Sequence, residues 1–465
     1  MNSLKKNLSL QLVKFLNTVL MAVPFALAWY LYYAPRMASP YYRIGNYAVI
    51  ILFMLLYSAY CKIYDGFVIS LNRISEMIYS QSLALLIADG ILYVVIVLLL
   101  QYYLPNPVPL LLAFCGQVLL SVIWSAAAHT WYFSAFPPKK SAVIFDARLG
   151  LENLIGEYGL EKKFDIQKVA VVEDCLQNLQ MLDDLDTVFL SGIHSHDRNV
   201  ILKYCVEKGI NVYVIPRIGD ILMSGAKELH LFHLPMLRVG RYNPPPTYLF
   251  FKRLLDIVVS LIALVILSPV FLLVSVAIKA NDGGPIFYKQ RRLTKDGREF
   301  DVLKFRSMRV DAEKDGVARL STGDRDDRVT AVGKIIRKVR LDELPQLICV
   351  LTGTMTLVGP RPERPEIAAQ YEQEIPEFKL RLQAKAGLTG YAQVYGKYNS
   401  SPYDKLQMDL MYIAHPSIWE DLRILFATVK ILLMPESTEG VAEGTATAMQ
   451  SSRTNSEKET TAAKK

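Results

Sequence analysis

Long apolar runs dominate the first third of the chain and recur once further along. Four of them approach the ~20 residues that a helix needs to cross a bilayer, and they lie at about 10–33, 46–61, 83–104 and 107–132. A fifth run, from Ile257 to Ile278, is almost wholly apolar. The pattern predicts a membrane region of four helices over residues 1–135 and one further membrane segment.

The stretch after residue 136 changes to short apolar runs that alternate with helical patterns. Four of these runs predict strands of a small parallel sheet: 141–145, 168–173, 186–192 and 211–216. They suggest a Rossmann-like α/β domain over 136–240. No G-x-G-x-x-G follows the first strand, so a regulatory or structural role is favoured over a working dinucleotide site. His194 and His196 form an H-x-H, which is better explained by polar loop residues than by a metal site.

The fifth apolar run carries Ser268 and Pro269 in its middle. Proline removes a helix hydrogen bond and clashes with the preceding turn. The segment is therefore either a kinked spanning helix or a broken helix that enters and leaves by the same face. A spanning helix would put the α/β domain and the basic region 280–310 on opposite sides of the membrane. Because similar basic residues flank both ends, we favour a re-entrant helix over 252–279.

Composition and charge narrow the class of protein further. The net charge of +8 suits contact with anionic lipid headgroups or with phosphorylated substrates. Nothing indicates a nucleic-acid partner, because no basic block is interleaved with aromatic residues. The five cysteines are scattered without C-x-x-C spacing, which predicts no disulfides. Lysines before the first helix and after the fourth favour a cytoplasmic N-terminus, and the composition of 436–465 predicts a disordered tail.

The most chemically suggestive segment is 331–362, which holds the adjacent carboxylates Asp342 and Glu343. Four cations precede them: Lys334, Arg337, Lys338 and Arg340. Pro345 suits the first turn of a helix, which would make Asp342 its N-cap or a first-turn residue. One interpretation is a carboxylate nucleophile beside a carboxylate metal ligand, ringed by cations that hold phosphates. The alternative is a solvated pair on a surface helix, as Asp and Glu usually are.

RLDELPQL and GTMTLVGPRP in this segment resemble the signature of the bacterial sugar transferases, the monotopic polyprenyl-phosphate phosphoglycosyl transferases. The resemblance runs from about Tyr248 to Met434 and includes SPVFLL, GPIFYKQRR, FDVLKFRSM, AGLTGYAQVYG and QMDLMYI. With the membrane region in front, the chain is similar to the large form of that family. The resemblance implies an α/β catalytic domain over 248–435, with a re-entrant helix that breaks at Ser268-Pro269.

The resemblance also implies a reaction. A member of this family transfers a sugar-1-phosphate from a UDP-sugar to undecaprenyl phosphate and so initiates exopolysaccharide, capsule or O-antigen assembly. Asp342 matches the nucleophile that forms an aspartyl-phosphosugar and releases UMP. A hexose, glucose or galactose, is favoured as the sugar. The expected location is the bacterial inner (cytoplasmic) membrane, multi-pass, with the catalytic domain facing the cytoplasm and the chain forming a homodimer.

Site residues follow from the same motifs. Glu343 matches the carboxylate associated with Mg²⁺, and Asp409, in QMDLMYI, matches a further acidic site that we expect to serve the metal. Five basic residues match or replace family contacts to phosphate, nucleotide or sugar: Lys304, Arg337, Arg361, Lys385 and Lys397. Lys385 and Lys397 stand where many members have arginine. The charge is kept but the arginine fork is lost, so substrate contacts at these two positions do not transfer directly.

Two functions of other classes remain open on sequence alone. One is a membrane-anchored nucleotide-sugar dehydratase or epimerase, which the α/β domain would suit. The missing glycine fingerprint and the lack of a Tyr-x-x-x-Lys pair count against it. The other is a non-catalytic scaffold for polysaccharide assembly, for which the Asp342 carboxylate would be dispensable.

Overall fold

The computed structural model describes residues 3–37, 44–100, 104–146, 150–310, 312, 328–396 and 401–432. The tail predicted at 436–465 lies outside these residues. The chain divides into two compact units, Met1–Ile215 and Pro216–Lys465. Each unit is described by itself.

The first unit begins with apolar helices, as the hydrophobic runs predict. They are α1 (Ser3–Ala28, continued by a π-helical segment Trp29–Tyr33), α2 (Ile44–Ile63), α3 (Ile74–Leu99) and α4 (Val108–Ala135). All are long and apolar enough to cross a membrane. Helix α3 begins nine residues before its apolar run because Glu76 accepts a 3.0 Å hydrogen bond from the Arg73 backbone and closes a capping box.

Buried polar side chains connect these apolar helices to one another. Gln81 of α3 accepts a 2.8 Å hydrogen bond from Ser121 of α4 and donates one of 3.0 Å to the Gly66 carbonyl. Tyr57 of α2 donates to Asn17 of α1 at 2.7 Å. Such bonds select one packing of helices whose surfaces are otherwise uniformly apolar.

The rest of the first unit is an α/β domain with a parallel sheet, as predicted. Its elements are β1 (Lys139–Phe145), α5 (Leu151–Glu157), β2 (Phe164–Val171), α6 (Val172–Gln177), β3 (Thr187–Ser191), α7 (Ser195–Lys208) and β4 (Asn211–Val214). The strand order is β2-β1-β3-β4, with every pairing parallel. Residues 216–240, which the sequence pattern groups with this domain, lie in the second unit.

The second unit holds the segment with the adjacent carboxylates. Its elements before that segment are α8 (Ile218–Ser224), β5 (Lys227–Leu231), β6 (Leu234–Arg238), α9 (Pro246–Asp282), β7 (Phe287–Leu293), β8 (Glu299–Phe305) and α10 (Ala331–Lys338). The later ones are α11 (Gln346–Thr352), β9 (Thr356–Val358), α12 (Pro365–Glu374), β10 (Gly387–Thr389), α13 (Tyr391–Tyr395), α14 (Pro402–Ala414) and α15 (Ile418–Leu432). β7 pairs antiparallel with β8, and β9 pairs parallel with β10. The core joins α11, β9, α14 and α15 through Val350, Leu357, Leu410 and Ile424.

The predicted break at Ser268-Pro269 is not observed, because helix α9 continues through Pro269 over 37 residues. Proline has no N–H to offer the carbonyl of Val265, four residues earlier, but the Ser268 hydroxyl donates to that oxygen at 2.8 Å. One stripe of the helix packs on the rest of the unit along its length, at Lys252, Asp256, Val259, Ala263, Leu267, Val270, Val274 and Ile278. The opposite face exposes Leu261, Ile262, Val265, Ile266, Leu272 and Leu273.

Candidate active site

The adjacent carboxylates project from a tight turn between α10 and α11. Arg340 adopts a left-handed backbone conformation with φ 55°, and the chain then forms a 3₁₀ turn over Leu341–Glu343. Pro345, predicted in the first turn of a helix, is instead the N-cap of α11, so Asp342 is neither the N-cap nor a first-turn residue of that helix. The reversal at Arg340 separates the two helices, so both carboxylates belong to the connection between them. Leu341 and Leu344 anchor this turn against α9 and α10.

Glu343 lies between two cations from distant parts of the sequence. Nη2 of Arg361 donates to its Oε1 at 2.8 Å, and Nζ of Lys304, at the end of β8, lies 3.6 Å from the same oxygen. The side chains of Glu343 and Lys304 are only 18% and 19% exposed. Because these two side chains are largely shielded from water, their charges interact more strongly than a surface pair would.

The pKa values of the two carboxylates are shifted in opposite directions. Burial and, after it, the neighbouring Glu343 charge raise the pKa of Asp342 to about 6, against the opposing effect of Lys304 and Arg337. Burial acts in the same sense on Glu343, but Arg361 and Lys304 outweigh it and hold the pKa of Glu343 well below its usual range. The pair therefore contains one permanently ionised carboxylate and one that ionises near neutrality.

Three glycines fix the loop that carries Arg361. Gly359 N–H donates to the Thr389 carbonyl and Gly387 N–H to the Pro360 carbonyl, both at 2.9 Å. A Cβ atom on Gly387 would lie 2.2 Å from the Gly359 nitrogen, and one on Gly390 would lie 2.1 Å from the Gly359 carbonyl oxygen. The two backbones approach so closely that only glycine fits at these positions.

A buried ion pair supports the Arg361 loop from behind. Arg381 donates to the Arg361 carbonyl at 2.8 Å and binds Asp409 through Nε at 2.9 Å and Nη2 at 2.6 Å. The side chains of Arg381 and Asp409 are 5% and 1% exposed. Glu363 lies 3.6 Å from Arg381 on another side. Sequence reasoning missed Arg381, which stands in a 3₁₀ segment without a motif, Pro376–Gln383.

The structure distributes the predicted site residues over several locations. Arg337 of α10 and Lys304 both act on the Asp342 carboxyl. Lys385 donates to the Gly353 carbonyl at the end of α11, at 2.9 Å. Lys397 lies outside the described residues. Asp409 is engaged by Arg381, as above.

Polar side chains of α9 bind the strand that leads into the Arg361 loop. Lys252 donates to the Val358 carbonyl at 2.9 Å and forms a 3.0 Å ion pair with Asp421 of α15. Asp256 accepts hydrogen bonds from the Thr356 hydroxyl and the Leu357 N–H at 2.9 Å each. Hydrogen bonds thus join the N-terminal part of α9 directly to β9, the strand that precedes the Arg361 loop.

The amino-acid sequence of this region is similar to that of known proteins. Residues 247–435 match the model of the family described as "Bacterial sugar transferase". Over 191 residues the chain is 40% identical to the UDP-glucose:undecaprenyl-phosphate glucose-1-phosphate transferase of Caulobacter vibrioides, and the match covers 40% of this chain and 71% of that protein. The chain belongs to the bacterial sugar transferase family. The matched region starts within the first turn of α9 and contains every residue of the site.

Other members of the bacterial sugar transferase family match over longer stretches. The UDP-N-acetylgalactosamine-undecaprenyl-phosphate N-acetylgalactosaminephosphotransferase of Aeromonas hydrophila is 39% identical over 235 residues, 50% of this chain and 54% of that protein. The UDP-glucose:undecaprenyl-phosphate glucose-1-phosphate transferase of Klebsiella pneumoniae is 42% identical over 282 residues, 57% and 58% of the two chains. These matches span little more than half the length of either relative.

Proposed function

We propose that the chain transfers a sugar-1-phosphate from a UDP-sugar to undecaprenyl phosphate, as the first step of exopolysaccharide, capsule or O-antigen assembly. The observation that carries the proposal is the half-buried Asp342, which stands beside Glu343 among Lys304, Arg337 and Arg361. Both substrates are anionic, so a site for this reaction needs fixed cations as well as a nucleophile. The site supplies both.

The proposed route has two displacements at the same phosphorus. An oxygen of ionised Asp342 attacks the β-phosphorus of the UDP-sugar, and the bond from that phosphorus to the bridging oxygen breaks, so UMP leaves with the electron pair. The phosphosugar is then bound to Asp342 as an acyl phosphate. A phosphate oxygen of the lipid attacks the same phosphorus, the bond to Asp342 breaks, and the carboxylate is regenerated. No oxidant or net proton source is required.

The cations have separate tasks in this scheme. Lys304 and Arg361 hold Glu343 ionised and offset the charge that gathers when two anions meet. Arg337 acts on the Asp342 carboxyl from α10. The tight turn at Leu341–Glu343 holds the nucleophile in place, which contributes through positioning.

Magnesium is the expected ion. Mg²⁺ is usually held by one or two carboxylates together with substrate phosphate oxygens, and Glu343 beside Asp342 fits that donor set. Among the residues the structure describes, no three His, Cys, Asp or Glu side chains gather into a protein-only metal site. We therefore propose that Glu343 would hold Mg²⁺ jointly with the substrate, where the ion would neutralise phosphate charge.

We also propose that α9 is seated in the cytoplasmic leaflet of the inner membrane as a re-entrant element. Support comes from the stripe of α9 that packs on the rest of the unit along the whole length of the helix. Both ends contact the same unit, through Lys252 near the start and Ile278 near the end. A helix whose whole length packs on one soluble unit does not suit a simple crossing.

The proposal extends to the identity of the sugar and to the oligomeric state. We propose a hexose, glucose or galactose, as donor; relatives named for glucose, for galactose and for N-acetylgalactosamine all match this chain. We also propose a homodimer in the membrane.

The test uses full-length protein in nanodiscs with undecaprenyl phosphate, Mg²⁺ and a panel of UDP-sugars, and it follows nucleotide release. We expect UMP with one donor and none from Asp342→Asn. Asp301→Asn is the matched control, because Asp301 is an exposed aspartate on β8. Release of UDP would mean direct glycosyl transfer and would overturn the aspartyl route. Activity retained in Asp342→Asn would remove the nucleophile from the proposal.

A further inference from the structure

Arg306 is a buried cation that the scheme above leaves unused. Its side chain is 7% exposed, and Nη2 pairs with Asp282 at the end of α9. Nε and Nη1 are buried and have no hydrogen-bond partner among the described residues. A charged group is rarely left with unused donors in a protein interior, because the loss of hydration is then uncompensated. The two donors therefore need an acceptor.

The position of Arg306 relates it to the candidate active site. Its N–H donates to the Ile286 carbonyl at 2.9 Å, which continues the β7–β8 pairing by one residue. Side chains alternate along a strand, so Arg306 lies on the same side as Lys304, two residues before it. Lys304 contacts Glu343. Arg306 thus extends the row of cations from the carboxylates toward the end of the apolar helix.

The loop after α9 is shaped around this guanidinium. A Cβ atom on Gly284 would lie 2.0 Å from Nη1 and 2.8 Å from Cζ of Arg306. The Nη1 edge of the guanidinium therefore packs against the Gly284 backbone, and a side chain at residue 284 would displace it. Asp282 remains 28% exposed, which marks the side of the pair that is open to solvent. The neighbouring Phe305 packs against Phe271 of α9.

We propose that Arg306 is an anion-binding residue of the transferase site and that its free donors bind a phosphoryl oxygen of a substrate. The inference rests on the proposed function. Arginine is suited to phosphate because its planar guanidinium offers several fixed donors. Its pairing with Asp282 at the end of the apolar helix α9 favours the phosphate of the lipid acceptor over the phosphates of the soluble donor.

The experiment separates the two half-reactions in nanodisc-embedded full-length protein. UMP release without undecaprenyl phosphate reports the donor step, and a chase of the loaded enzyme with increasing undecaprenyl phosphate reports the acceptor step. We expect Arg306→Gln to leave the rate of the donor step within about two-fold. The concentration of acceptor for half-maximal chase should rise about ten-fold or more, as for loss of a charged hydrogen bond.

Two further variants keep the test sharp. Gly284→Ala retains Arg306 but displaces its guanidinium, so it should reproduce the acceptor defect. Arg291→Gln is the control, because that arginine is 68% exposed on β7 and pairs with surface carboxylates. Melting temperatures of all variants report folding. If wild-type protein releases no UMP, the proposed function fails before Arg306 is judged.

The outcomes divide clearly. A selective acceptor defect supports the lipid phosphate as the ligand, and a selective donor defect supports anion binding with the nucleotide sugar as the ligand. Unchanged half-reactions would overturn the proposal. Equal loss of both, with a lower melting temperature, would also overturn it, because the guanidinium would then be a structural group only.

Discussion

The substitution Asp409→Asn tests whether Asp409 supports Arg381 structurally or binds a metal ion. The structure gives Asp409 two contacts to Arg381, at 2.9 and 2.6 Å, and Arg381 in turn holds the Arg361 carbonyl. Burial works against the charged form of Arg381, but Asp409 and Glu363 outweigh it and raise the pKa of that guanidinium. Asparagine keeps the size of the side chain and removes the charge. It therefore leaves a buried cation with only Glu363, 3.6 Å away.

The size of the effect follows from burial. Removing one partner of a buried pair costs about 3–5 kcal/mol, and we expect the lower end, about 3 kcal/mol, because asparagine still accepts one hydrogen bond from Arg381 and Glu363 remains. Loss of support also frees the Arg361 loop. A displacement of about 1 Å in a positioning group can slow a reaction by about 100-fold, which sets the upper limit for the fall in UMP release.

The assay measures UMP release against Mg²⁺ concentration, together with the melting temperature. We expect a lower rate and a lower melting temperature, with the same Mg²⁺ concentration for half-maximal rate. Glu366→Gln is the control, because Glu366 is 63% exposed on α12. If excess Mg²⁺ restores the rate of Asp409→Asn at an unchanged melting temperature, the structural role is refuted and Asp409 is a metal ligand.

Two further predictions follow from the same structure. Because the pKa of Asp342 is raised to about 6 and only the ionised form attacks, UMP release should rise about ten-fold per pH unit below 6 and level off above it; a pH-independent rate between 5 and 7 in the donor half-reaction would contradict this assignment. Asp421→Asn leaves Lys252 buried without its counter-charge, so thermal unfolding should show a loss of about 3–5 kcal/mol; an unchanged melting temperature would show that the pair contributes nothing.

Local sequence was enough to identify the adjacent carboxylates and two of the cations beside them, but not the residues that support this group from behind. Asp342 and Glu343 are adjacent in the chain, and motif order pointed to Lys304 and Arg361, which the structure brings onto Glu343. The apolar helices and the parallel sheet were equally predictable, because both follow from periodicities of the local sequence.

Other features depend on contacts between distant residues. Arg381 and Asp409 are 28 positions apart, and neither pattern nor spacing announces their pairing. The prediction of an N-cap at Asp342 was wrong because Arg340 adopts a left-handed backbone conformation. Residues other than glycine rarely do so, and the sequence therefore gave no sign of the turn. Lys385 donates to the Gly353 carbonyl at the end of α11, a contact that local sequence does not indicate, and its predicted role in substrate binding stays a prediction.

The contact among Gly359, Gly387 and Gly390 has a consequence for how such an enzyme can change its substrate. Backbone touches backbone there, so the loop that carries Arg361 has no adjustable side chain at its base. Single substitutions at these glycines cannot adjust the loop gradually, because even the Cβ atom of alanine would collide with the facing backbone. On the proposed function, a change of sugar preference is therefore expected from positions around these glycines, and a mutational library aimed at donor choice should leave the three glycines untouched.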